Sequence, residues 1–148
     1  RSMERTLESG RDCSKRSGFT PAPSCPYTAL MITGSCHCGA VTWRYPKRPD
    51  KLTSCNCSYC RRAGGLWAYA HPGDIDVAYA KGSVIRYIQG DRTLAYVSCA
   101  NCGCTTHWEN LDADADRMAV NFAMADPSEV EGIRIRHFDG ADSWTFLD

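Results

Sequence analysis

From Met31 onward the chain alternates apolar and polar residues in short runs. AVTWRY (40–45) has a period of two and is rich in β-branched and aromatic side chains, the pattern of a half-buried strand. LWAYAH (66–71), SVIRYI (83–88), LAYVSC (94–99), TTHWEN (105–110), RMAVNFAM (117–124), IRIRHF (133–138) and SWTFLD (143–148) predict further strands. Turn residues separate them: Pro72-Gly73, Gly82, Gly90-Asp91, the acidic run 112–116 and Asp139-Gly140. Only DPSEVEG (126–132) predicts a helix, with Asp126 as N-cap, Pro127 in the first turn and Gly132 as stop. Many short strands at close spacing imply an all-β domain with at most one short helix, built as a sandwich or an open barrel.

Residues 1–30 lack any such period and mix charges, serines and prolines. They read as an N-terminal extension (a tag, a mis-set start or a flexible tail) ahead of one domain at 31–148. Composition narrows the function classes. Seventeen Lys and Arg balance seventeen Asp and Glu, giving a formal net charge of +0. That balance argues against direct nucleic-acid binding and against an acidic membrane surface. The longest apolar stretches are strand-sized, so no membrane span is expected. The N-terminal residues contain no apolar export segment, and a cytoplasmic location is expected.

The ten cysteines change the picture most. Seven fall into tight clusters: Cys36 and Cys38; Cys55, Cys57 and Cys60; Cys99 and Cys102. Sulfurs two or three residues apart converge on one point, as metal knuckles do, whereas disulfide partners are generally distant and singly placed. Cys13 and Cys25 are isolated and stay outside the metal count. CHC (36–38) and CANC (99–102) each supply two ligands, and together they make a closed four-thiolate site of structural type. CNCSYC (55–60) holds three, which is the pattern of a catalytic zinc with an open position. Spacing leaves two other partitions open: Cys104 can complete the 99–102 site, or CHC can pair with part of 55–60.

Arg61 and Arg62 adjoin the three-cysteine cluster, where they can balance thiolate charge and present guanidinium groups to an anionic ligand, or simply face solvent. His107 reads as hydrogen-bonded strand structure in preference to a ligand, and the four tryptophans as core or rim.

GSCHCGAV (34–41), CNCSYCRRAGG (55–65) and CANCGCTTHW (99–108) resemble the three signature blocks of the glutathione-dependent formaldehyde-activating enzymes. That family includes the S-(hydroxymethyl)glutathione synthases and the centromere protein V relatives, and IRIRHFDGADSW (133–144) fits it too. The resemblance implies an all-β tent, built of open sheets of short antiparallel strands, with two zinc ions per chain. It assigns Cys36, Cys38, Cys99 and Cys102 to a structural zinc, and Cys55, Cys57 and Cys60 to a second, open zinc. Cys104 is left as a bystander thiol. The implied activity is that of a carbon–sulfur lyase-type enzyme on a small thiol adduct, condensing glutathione with formaldehyde; independently of the resemblance, Arg61 or Arg62 beside the three cysteines can grip a glutathione carboxylate. Two alternatives are a zinc-stapled binding module and a related lyase with a different thiol or carbonyl substrate.

Overall fold

The computed structural model describes residues 31–112 and 114–148; Cys13, Cys25 and the expected extension lie outside them. Among the described residues, ten short strands form two open sheets. β1 (Ile32–Ser35), β2 (Val41–Tyr45) and β5 (Asp76–Tyr79) make a three-stranded antiparallel sheet in the order β1-β2-β5. The seven-stranded sheet has the order β10-β3-β4-β9-β8-β7-β6. Its members are β3 (Lys51–Cys55), β4 (Leu66–Ala70), β6 (Val84–Ile88), β7 (Leu94–Cys99), β8 (Thr105–Asn110), β9 (Met118–Asn121) and β10 (Arg134–Phe138). The fold is all-β, and neither sheet closes into a barrel.

The period-two pattern accounts for how the sheets pack. Ala68 of β4 and Met118 and Val120 of β9 face the small sheet, where they join Ile32, Trp43, Tyr45, Leu52 and Phe122 in one core. Trp43 stacks on Phe122 at 5.1 Å between ring centroids, and Tyr45 meets the same ring edge-on. Burying side chains of this size stabilises by about 2–3 kcal/mol each. The intervening residues, Trp67 on β4, Ala119 on β9, Tyr96 on β7 and Trp108 on β8, form a second core on the opposite face, which also takes in Cys60. The central strands are therefore apolar on both sides.

Four features depart from the pattern read in the sequence. β1, β3 and β5 were not anticipated as strands: each has only four or five residues and carries Gly34, Lys51 or Asp76, which weaken the signal. The run 117–124 stays extended only to Asn121. There the side-chain Oδ1 accepts from Ala123 N and Leu66 N while Nδ2 donates to Thr105 O, turning the chain into a 3₁₀ turn at Phe122–Met124. The run 143–148 makes only a single bridge, Phe138 to Phe146, because Trp144 has φ 56° and cannot continue a strand.

The fourth departure corrects two expectations. A second short helix, α1 (Cys60–Ala63), accompanies α2 (Pro127–Val130), so the limit of one helix is exceeded. And β10 pairs parallel to β3, from Arg134↔Lys51 to Phe138↔Cys55, so the strands are not all antiparallel. That parallel pair matters for the chemistry, because both strands end side by side at the three-cysteine loop.

Candidate metal centres

The β1–β2 connection carries Cys36 and Cys38; Cys99 ends β7, and Cys102 lies in the β7–β8 connection. The four sulfurs lie within 4.8 Å of one another. Cys38 Sγ sits 3.6 Å from both Cys36 Sγ and Cys99 Sγ, near the edge of about 3.8 Å expected for a tetrahedron with sulfur arms of about 2.3 Å. Val41 N donates to Cys36 Sγ at 3.3 Å, so the backbone folds around that sulfur. The Cys102 thiol is pulled down to about 5, chiefly by backbone hydrogen bonds from Cys104 and Cys38. Cys36 and Cys99 are fully buried with Val41, so this cluster staples the edge of the small sheet to the large one. Cys104 packs nearby but is not part of the cluster.

Cys55, Cys57 and Cys60 form the second group, with sulfurs again within 4.8 Å. Cys55 ends β3, and the chain turns at once into α1, whose first residue is Cys60. Cys57 N donates to Cys55 Sγ at 3.4 Å and Cys60 N to Cys57 Sγ at 3.3 Å, so the backbone wraps the sulfurs. The Cys60 side chain is the largest influence on Cys55, bringing its thiol down to about 6; backbone hydrogen bonds from Cys57 and Gly140 act the same way. Cys60 is pushed up by that shared proton and by burial. One thiolate among three close sulfurs is thus ready near neutral pH. All the described cysteines are free thiols, so neither group is closed by disulfides.

The donor sets fit two metal ions of thiophilic type: one group offers four sulfurs, the other three. No fourth His, Cys, Asp or Glu joins the three-sulfur group among the described residues. Instead, Cys55, Cys60 and Arg61 line a cleft of ≈ 710 Å³ together with His137, Phe138 and Leu147. Arg62 turns away from it and donates to Ser58 O at 2.6 Å, tying the loop to α1. His107 is fully buried on β8, bonded to Thr106 Oγ1 at 2.9 Å and Glu109 Oε1 at 3.3 Å, and approaches neither group of cysteines. Trp43, Trp67 and Trp108 are core, while Trp144 is 71% exposed.

Some neighbours of the three sulfurs carry no sequence signal. The Tyr96 hydroxyl lies 3.7 Å from Cys60 Sγ, and its ring stacks on Tyr59 at 3.8 Å. Burial, with the cysteine sulfurs beside it, pushes the Tyr96 hydroxyl upward, so it stays a donor. Asn56 Nδ2 donates to Asp139 Oδ1 at 2.8 Å and Asn56 Oδ1 accepts from Ala141 N at 3.0 Å. The position of Asn56 between two ligand cysteines and the Asp-Gly turn after β10 are visible in the sequence, but nothing local links them.

The model of the glutathione-dependent formaldehyde-activating enzyme family matches residues 31–137. The chain belongs to that family. A Halomonas elongata protein provisionally named as a glutathione-dependent formaldehyde-activating enzyme is 39% identical over 57 residues, which cover 36% of this chain and 36% of that relative. The crystal structure of a Rhodobacter sphaeroides protein, a structural-genomics target, is similar with TM-score 0.57 and 29% identity, covering 70% of this chain and 99% of that one. Both sulfur clusters fall inside the span matched by the family model. No described helix is long and apolar enough to cross a membrane.

Proposed function

We propose that this chain is a zinc-dependent, carbon–sulfur lyase-type enzyme that joins the thiol of glutathione to formaldehyde, giving S-(hydroxymethyl)glutathione. The observation that supports this most is the position of Cys55 and Cys60 in the wall of a cleft, next to Arg61, while the four-sulfur group joins the two sheets with Cys36 and Cys99 buried. Cys36, Cys38, Cys99 and Cys102 would hold one zinc as a staple; Cys55, Cys57 and Cys60 would hold the working one. Zinc held there would supply positive charge that lowers the pKa of a substrate thiol beside the three sulfurs.

The residues around it do the rest. Arg61 on the cleft wall offers a planar fork to a carboxylate of the tripeptide, placing its sulfur end toward Cys55 and Cys60. Phe138, Leu147 and Leu66 give the cleft an apolar lining against which the ligand's carbon skeleton can pack. In the reaction a C–S bond forms as the carbonyl π bond of formaldehyde breaks. The proton given up by the thiol ends on the new hydroxyl. No redox partner is required.

Glutathione titrated into zinc-loaded protein tests the reading, with turnover followed by exchange NMR under formaldehyde. Saturable binding at or below millimolar concentration, and product formation above the uncatalysed rate, are expected. Absence of binding at millimolar glutathione would reject this substrate in favour of another thiol or a binding role.

A further inference from the structure

The segment after β10 does not simply trail off the sheet. Because β10 lies parallel to β3 with Phe138 opposite Cys55, both strands deliver their next residues to the same place, and Asn56 N continues the ladder by donating to Phe138 O at 3.2 Å. Asn56 then uses its whole amide: Nδ2 donates to Asp139 Oδ1 and Oδ1 accepts from Ala141 N. Asp139 is held in turn by Ser143, whose N and Oγ donate to Oδ2 at 3.1 and 2.8 Å. Between Asp139 and Ala141, the Gly140 backbone comes so close to the site that a Cβ there would lie 2.7 Å from Cys55 Sγ and 3.2 Å from Cys57 Cβ. Real Cβ atoms are not found at such a separation, so glycine is the residue that lets the turn close on the sulfurs.

We propose that the Asp139–Ala141 turn is a clamp that positions the three-sulfur site. Asn56 is the latch, Asp139 and Ala141 are the catch, and Gly140 is the contact surface against Cys55. The proposal rests on the reading that Cys55, Cys57 and Cys60 hold a metal. Outer-shell groups of this kind fix the orientation of ligands, and their loss typically weakens metal binding by roughly 10- to 100-fold. The four-sulfur site is built from β7 and from the β1–β2 and β7–β8 connections, and the clamp's hydrogen bonds involve none of its cysteines, so the effect belongs to one site.

Cobalt(II) loading with a chelator chase tests it, since sulfur-to-cobalt charge-transfer bands report ligand geometry site by site. The Cys57→Ser variant identifies which of the two cobalt equivalents belongs to the three-sulfur site. In Asn56→Ala and Gly140→Ala, that equivalent should be released roughly 10- to 100-fold faster with a shifted charge-transfer band, the other equivalent being unchanged. Should Gly140→Ala fold poorly, Asn56→Ala carries the test, because Asn56 is exposed and its loss leaves the core intact. An unchanged release rate and spectrum in Asn56→Ala overturns the clamp, as does equal loosening of both equivalents. If the wild-type protein takes up one equivalent only, the two-site reading has failed, which is a different result from two tightly held equivalents indifferent to Asn56.

Discussion

Cys38 and Cys99, 61 positions apart in the chain, bring their sulfurs to 3.6 Å at the junction of the two sheets. A metal bridging them closes a long loop, and closing a loop of this length removes about 4 kcal/mol of chain entropy from the unfolded state in the cross-link account. Cys99→Ser should therefore lower Tm by roughly 10 °C or more. Cys57→Ser should cost one metal equivalent and the activity while the domain stays folded. Metal stoichiometry, activity and thermal unfolding on the two variants check the division; equal unfolding of both would refute it.

Arg61 lines the cleft beside Cys60. Arg61→Ala is expected to raise KM for glutathione by roughly tenfold or more, the loss of one charge-assisted carboxylate contact, with a smaller change in kcat. Arg61→Lys should recover part of the loss, since it keeps the charge but not the fork. Steady-state kinetics with varied glutathione decides; an unchanged KM in the alanine variant would remove Arg61 from the binding site.

Tyr96→Phe preserves the stacking on Tyr59 and removes only the hydroxyl that faces Cys60 Sγ at 3.7 Å. Metal release from the three-sulfur site is expected to quicken by up to about tenfold, and the cobalt charge-transfer band to move, as a hydrogen bond to a ligand sulfur is lost. An identical spectrum would mean that the hydroxyl does not reach the sulfur.

Glu109 accepts from His107 and receives both Arg86 Nε, at 2.9 Å, and Arg86 Nη2, at 3.2 Å. These contacts, that of His107 first, bring its carboxyl down to about 2 from an ordinary 4.5. The folded-state value is the lower one, so the stability this group adds is complete above about pH 4.5 and is lost as pH falls through about 2. Glu109→Gln should be less stable than the parent by on the order of 1 kcal/mol at neutral pH, discounted for the partial exposure of both partners. The gap should narrow steadily below pH 4.5. Denaturant unfolding of the two proteins at matched pH checks this; a gap independent of pH would contradict it.

The sequence carried β2, which buries one face against a core, because Val41, Trp43 and Tyr45 impose a period of two whatever their partners; β7 and β8 were legible as runs of apolar and β-branched residues. It carried the sulfur groups for a similar reason: ligands two or three residues apart are recorded locally. It could not show what depends on strands meeting. β3 has only Leu52 and Thr53 well buried, and β10 has an exposed Arg134 and Ile135, so neither announces that the two will lie parallel. Hence Asn56 and Asp139 passed as ordinary loop residues, and Cys60 as a ligand without its helix. Family resemblance supplied the partition of cysteines that spacing left open, and the sulfur positions now group them in the same way.

The parallel pairing of β10 with β3 also sets an order of events. The four-sulfur staple has all its parts once the chain has been made to Cys102, whereas the loop at 55–60 meets its clamp only after residues 134–141 have emerged and crossed to β3. Non-local pairings of this kind form late, since the closure entropy comes before the contact. A growing chain would thus bring its four sulfurs together before the 55–60 loop meets the turn after β10, so the two groups are completed in a fixed order.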